Sequence, residues 1–284
     1  MDVVVEKNVV NVKTKMTEIR RSCRINGNRK IYNNYYNNCD QDEEIYVVYG
    51  DNTVVLWDDD DGVIRGYFYS SDEAELIKML GYLPQECVVD IITRTSDEYA
   101  DIMSQAGLAF HCEMHRFVGD ASTEAQKIRR ERDAMMTDIY CPERVRAAET
   151  DDLDMVYGKL HEIFNPKESH LPSKKQLLEL IKKKWVSLYF EEKELKALHI
   201  FKVEAAGRNY GYQTWNGAGI DGYYSVLRFA EKLYQEYLDK NGIDKSKVPP
   251  GYAWANIANK KAVRGIKYGL AKFDGLIDFV YKKI

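Results

Sequence analysis

The sequence predicts an α/β (α+β) protein of two tandem domains, each a mixed, mostly antiparallel sheet flanked by helices. Three observations carry this. The chain has 284 residues, beyond the common single-domain size, so two cores are the default. Its last third alternates strand, glycine-bearing loop, long amphipathic helix, strand, short helix and strand, an order that favours a parallel or mixed sheet. The end of that order, a strand, a helix, Gly-Leu-Ala and an aromatic strand, occurs twice, with its Gly-Leu-Ala at Gly107 and again at Gly269.

Along the first half, 33–38 and the acidic 40–44 read as an exposed loop. Residues 45–49, 53–57 and 63–69 read as antiparallel strands joined by 50–52 and 58–62. Residues 71–80 form a helix that no glycine loop opens. A strand at 87–93, a capped helix at 96–106 and an aromatic strand ending at Arg116-Phe117 follow. Residues 121–134 carry charges and helix formers without a broad apolar stripe, and Cys141-Pro142 ends them, so they read as a solvated linker helix. The expected domains are therefore 1–120 and 144–284, joined by 121–143. The first reads as a reduced version of the second.

In the second half, a short strand at 145–148, helices near 151–164 and 173–184, and paired strands near 185–192 and 195–203 come first. Tyr210-Gly-Tyr-Gln-Thr-Trp215 suits a half-buried pleated surface, and Asn216-Gly-Ala-Gly219 breaks it. Asp221 is a good N-cap, and Tyr223, Val226, Leu227, Ala230, Leu233, Tyr234, Tyr237 and Leu238 recur on one helix face. Asn241-Gly242 and Pro249-Pro250 stop that helix. A strand at 251–257, a helix at 259–270 capped by Asn259, and a strand or tight hairpin at 272–281 close the chain.

Two places in this region resemble the GNAT superfamily of N-acyltransferases, which use acyl-coenzyme A. Trp215-Asn-Gly-Ala-Gly-Ile-Asp-Gly-Tyr-Tyr-Ser-Val-Leu227 is similar to the family's pyrophosphate loop, and Asn259-Lys-Lys-Ala262 with Tyr268-Gly-Leu is similar to its last helix and tyrosine. The resemblance implies an acyl transfer from acetyl-CoA or another acyl thioester to a primary amine of a small molecule or peptide. It implies a diphosphate held by backbone N–H groups and a helix dipole, with Trp215, Asn216, Gly219, Gly222, Tyr223, Asn256 and Asn259 at the cofactor. Asn256 is positioned to bond a pantetheine amide, while Asn259 also serves simply as a cap.

The sequence departs from the family at several positions. Gly219 stands where the family has a basic or amide residue, Tyr224 replaces the last loop glycine, and Ile266 rather than Tyr268 falls in the register of the usual tyrosine. Two alternatives follow: an acyl carrier protein as donor, or a non-catalytic GNAT-like ligand- or protein-binding module with Tyr224 filling the loop.

Acyl transfer to an amine needs a base for the amine proton and an acid for the leaving thiolate. Tyr268 is the candidate acid and Glu204 the candidate base, against a packing tyrosine and a solvated loop carboxylate. His199, between Leu198 and Ile200 on a strand, is a candidate acceptor contact or a satisfied sheet histidine. Gln213 shares a face with Trp215 by period two and is the other candidate substrate residue.

A net charge of −4 gives no electrostatic case for nucleic acid. No apolar run approaches the ~20 residues of a membrane span, and residues 1–15 show no secretion signal, so a cytoplasmic protein is expected. Five scattered cysteines argue against a disulfide framework. The run Asp58 to Asp61 points in divergent directions, and no metal is expected. A homodimer is left open.

Overall fold

The structure is a computed structural model that describes residues 2–6, 9–33, 44–95 and 98–284. The acidic loop expected at 33–44 lies almost wholly outside the described residues, as do Cys39 and Ser96. The chain forms two compact units, one of residues 1–114 with 275–284 and one of residues 115–274. The division therefore falls before residue 120, and the last ten residues return to the first unit. No described helix is long and apolar enough to cross a membrane.

The first unit begins with β1 (Val4–Glu6) and α1 (Val10–Asn26), then β2 (Ile31–Tyr32), β3 (Ile45–Tyr49), β4 (Thr53–Asp60) and β5 (Val63–Ser70). α2 (Glu73–Leu80), β6 (Val88–Thr93), α3 (Ala100–Gln105) and β7 (Leu108–Gly119) complete its forward run. β3, β4 and β5 form an antiparallel meander. The β4–β5 connection is shorter than expected. Asp60 pairs with Val63, leaving the two-residue turn Asp61-Gly62. Both turn residues have positive φ, the primed geometry that matches strand twist. α3 is shorter than the 96–106 expected.

The second unit contains the later part of β7 and α4 (Thr123–Met135), then β8 (Val145–Ala147), α5 (Leu153–Ile163), α6 (Lys174–Lys182), β9 (Val186–Glu191), β10 (Glu194–Val203) and β11 (Asn209–Asn216). α7 (Ile220–Lys240), β12 (Tyr252–Asn256), α8 (Lys260–Tyr268) and β13 (Ala271–Lys283) follow. β13 is one strand, not a hairpin. α7 is capped by Gly219 rather than Asp221: Gly219 has φ 84° and ψ −158°, a conformation open essentially to glycine alone, and Asp221 falls in the first turn. α5 and α6 bury Val156, Leu160, Leu177 and Leu180 in one cluster with Leu198 and Ile200 of β10, and α7 adds Ala230 and Leu238 to it.

The two units repeat one strand plan. In the first the order is β1-β3-β4-β5-β6-β13-β7, and in the second it is β8-β9-β10-β11-β12-β7-β13. In each, an antiparallel meander leads to a parallel pair with a helix between its strands (β5, α2, β6; β11, α7, β12). In each, the strand beside the second member of that pair comes from the far half of the sequence. The fold is thus mixed, mostly antiparallel and tandem.

Candidate functional site

The parallel pairs are short in both units, and this makes a split in each sheet. β11 pairs with β12 only at Tyr210↔Tyr252 and Gly211↔Ala253. Beyond Gly211, β11 keeps its ladder to β10 on the other edge, with Leu198↔Trp215 and Ile200↔Gln213, while β12 diverges. The same ladder slips at Ile200/Phe201, where Phe201 pairs with Gly211. Tyr212 is therefore the extra residue of a bulge, and a bulge bends its strand and re-aims side chains. Its hydroxyl donates to the carbonyl of His170. In the first unit the corresponding pair holds at one position, Arg65↔Val88.

What occupies the open edge differs between the units. In the first, β2 pairs antiparallel with the end of β5 (Ile31↔Ser70, Tyr32↔Tyr69). Asn33, 4% exposed, donates from Nδ2 to the Gly66 carbonyl at 3.0 Å and accepts the Phe68 N–H at 2.8 Å. The chain thus fills its own split. α2 likewise satisfies its own first turn, the Asp72 carboxylate accepting the Glu75 N–H at 2.9 Å. In the second unit, β12 shows no ladder partner for Tyr212 to Asn216 among the described residues.

The loop 216–219 leads from that split into α7. Asn216 donates from Nδ2 to the Gly219 carbonyl at 2.7 Å and accepts the Ala218 N–H at 3.1 Å, which fixes the loop from within. The first N–H groups of a helix have no partner inside it. Gly222 lies in the first turn of α7 and is buried. A Cβ built on it falls 2.5 Å from the Ala218 Cβ and 3.2 Å from the Tyr189 ring, so its bareness serves helix packing. Tyr223 reaches α8, its hydroxyl 3.2 Å from where a Gly265 Cβ would stand, and burial raises its pKa against the opposing charge of Arg132. Tyr224 does not fill the loop. Its hydroxyl lies 3.4 Å from the Asp133 carboxylate and its ring meets Tyr140 edge-on.

The other expected site residues fall into separate settings. Gln213 and Trp215 do share a face, and Lys159 of α5 lies 4.9 Å over the Trp215 ring. Asn256 donates to Glu168 at 2.8 Å, a carboxylate in the loop after α5. Asn259 accepts the Ala262 N–H at 3.0 Å and caps α8. Glu204 is exposed and accepts the Tyr252 hydroxyl at 2.5 Å; burial, then Glu204, raises the pKa of Tyr252, which keeps that hydroxyl protonated. Tyr252 stacks on Tyr210 at 4.7 Å. Tyr268 is 54% exposed at the end of α8, with Arg132 4.5 Å over its ring and bonded to its carbonyl. Glu168, Tyr212, Tyr252 and Arg132 were not singled out from the sequence, and only the tyrosines carried a signal, as members of aromatic strands.

His199 is 8% exposed and meets Thr214 Oγ1 with Nδ1 at 2.8 Å. Burial lowers its pKa to about 4, so it is neutral near pH 7. The folded value lies below the unfolded one of ~6.5, so unfolding takes up a proton. Its contribution is present above pH ~6.5 and is lost as pH falls through the folded value. Urea unfolding of the wild type should lose about 3 kcal/mol more between pH 7 and pH 4 than His199→Gln does. Parallel pH profiles of the two proteins would refute this.

Solved structures share this architecture over the whole chain. A tandem GNAT protein from the clavulanic acid biosynthesis pathway aligns with a TM-score of 0.51 at 8% identity, over 99% of this chain and 98% of that one. The fold is the GNAT fold, in tandem. An acetyltransferase of the GNAT family from Colwellia psychrerythraea aligns at 0.50 and 9% identity over all of both chains. A GCN5-related N-acetyltransferase from Sphaerobacter thermophilus aligns at 0.50 and 10% identity over 99% of this chain and 95% of that one. No protein-family model and no curated protein matches the sequence. A fold shared at this identity does not say what the protein binds or does.

Proposed function

We propose that the second unit binds an acyl thioester, acetyl-CoA in the first instance, in the split between β11 and β12 and transfers the acyl group to a primary amine of a small molecule or peptide. The observation that carries this is the parallel pair that parts after Gly211, bulges at Tyr212 and leads directly through a glycine loop into α7. Strand edges that part present unpaired N–H and C=O groups, which suit the two amides of a pantetheine arm. The amine nitrogen attacks the thioester carbonyl carbon, the C–S bond breaks, and an amide forms. Glu204 takes the amine proton, directly or through water. Water supplies the proton for the thiolate, because the ring of Tyr268, the expected acid, is taken up by Arg132 at the end of α8. Trp215 and Gln213 line the acceptor side.

The full chain should bind acetyl-CoA once, not twice, because Ile31 to Asn33 fill the first unit's split. Hydrogen exchange should slow at 212–216 and 254–256 on addition of acetyl-CoA and stay unchanged at 66–70. Calorimetry checks the stoichiometry. A folded protein without saturable binding, or with protection confined to the first unit, sinks the proposal.

A further inference from the structure

The loop 216–219 contains no cation, and the Asp221 carboxylate stands beside it, with Oδ1 3.7 Å from where a Gly219 Cβ would be. A nucleotide thioester carries several phosphate charges, so on this loop alone it would meet an anion. The cations lie next door. α8 and its flanks, residues 256–272, contain five basic residues and no acidic one, in a chain of net charge −4. Lys272 is paired with Asp120 at 2.6 Å. Lys260, Lys261, Arg264 and Lys267 are exposed, and among the described residues none of these four has a carboxylate partner. At 100° per residue, Lys260, Arg264 and Lys267 fall within about 60° of one another, and Lys261 sits between them and Gly265.

Two contacts set α8 beside the start of α7 and beside α4. Tyr223, in the first turn of α7, meets α8 at Gly265, the position beside Lys261. Arg132 of α4 lies over Tyr268 and donates to its carbonyl. Among the described residues no carboxylate pairs with it, and its charge bears on both Tyr223 and Tyr224.

We propose that Arg132 together with Lys261, Arg264 and the neighbouring lysines of α8 forms an anion site for the nucleotide phosphates of a coenzyme A thioester, replacing the cation absent from the loop. This rests on the thioester reading of the split. Pantetheine, which has no phosphate, should be indifferent to these residues. Coenzyme A should bind more tightly than 3′-dephospho-coenzyme A, and more tightly at low salt than at high.

The test is calorimetry of the full chain with coenzyme A, 3′-dephospho-coenzyme A and pantetheine, on the wild type, Lys261→Glu/Arg264→Glu and Arg132→Gln. The double variant changes only exposed side chains, and a melting curve checks that it is folded. The expected result is at least a tenfold loss of coenzyme A affinity in the double variant, a smaller loss in Arg132→Gln, and unchanged pantetheine affinity. Unchanged coenzyme A affinity in both variants overturns the anion site and leaves the thioester groove standing. Wild-type binding of pantetheine without any advantage for coenzyme A does the same. Binding of none of the three ligands to the folded wild type overturns the groove and the anion site together.

Discussion

Gly222→Glu is expected to unfold the second unit, not merely to weaken a ligand. The residue is buried in the first turns of α7, and a Cβ would stand 2.5 Å from the Ala218 Cβ and 3.2 to 3.3 Å from two atoms of the Tyr189 ring. Overpacking of this kind costs about 1–3 kcal/mol, and an unpaired carboxylate forced into the same place adds several more. Together they are on the order of 5 kcal/mol, comparable to the stability of a small domain. Ile220→Glu is the contrast. Ile220 is 53% exposed at the first helical position, where a carboxylate favours the helix dipole, so its unfolding free energy should stay within about 0.5 kcal/mol of wild type. Thermal and urea unfolding of the two variants decide the matter. A Gly222→Glu protein as stable as wild type means that the close approach of α7 to β9 is not what requires glycine there. The distinction governs how the site is probed: loss of acetyl-CoA binding in Gly222→Glu reports on folding, and loss in Ile220→Glu reports on the loop.

The contrast also shows which parts of this protein were legible in its sequence. α7 was, because Val226, Ala230, Leu233, Tyr234 and Leu238 recur at helical spacing and all are buried. Its start was misplaced because capping preference favours Asp221, whereas the chain's entry angle is set by the positive φ of Gly219, which composition does not reveal. α1 was also written in the sequence. Val12, Met16, Ile19 and Cys23 recur at four, three and four residues and all are buried, a pattern that the alternation of valine and charge just before it obscured. In the second unit the order strand, loop, helix and strand pointed to a parallel or mixed sheet, while the point at which β11 and β12 part is a matter of register that no local pattern encodes. The plug in the first unit did not follow. Ile31 to Asn33 reach β5 across more than thirty residues, through backbone groups and one asparagine amide, and no local pattern encodes a pairing at that range. The same holds for Glu168 on Asn256 and for the bulge at Tyr212, which exists only as a register slip between two strands.

Arg65→Met is expected to cost the first unit about 3–5 kcal/mol near pH 7, and the loss should shrink as pH falls. Arg65 is 2% exposed and sits on β5 directly opposite Asp58 of β4, itself 5% exposed. Its Nη1 donates to the Asp90 carboxylate at 3.2 Å. Asp278 of β13 is 7% exposed. Burial first, and then the charge of Asp90, pushes its carboxyl well above the usual carboxylate range, with Arg65 pulling the other way. The guanidinium thus pairs with Asp90 and pulls against the upward shift of Asp278, and methionine keeps much of its stem while removing the charge. Asp278 already holds its proton more tightly in the folded state than in the unfolded chain, and removing the cation that pulls the other way tightens that hold further. Stability is then fully present below the unfolded pKa and is lost as pH rises through the folded values. The deficit of Arg65→Met against wild type should accordingly be large at pH 7 and much smaller at pH 4.5, and adding Asp278→Asn should recover part of it at pH 7. Urea unfolding of the three proteins at both pH values measures each quantity. An equal deficit at pH 7 and pH 4.5, untouched by Asp278→Asn, would mean that Arg65 holds β4, β5 and β6 by packing alone and that its charge is incidental.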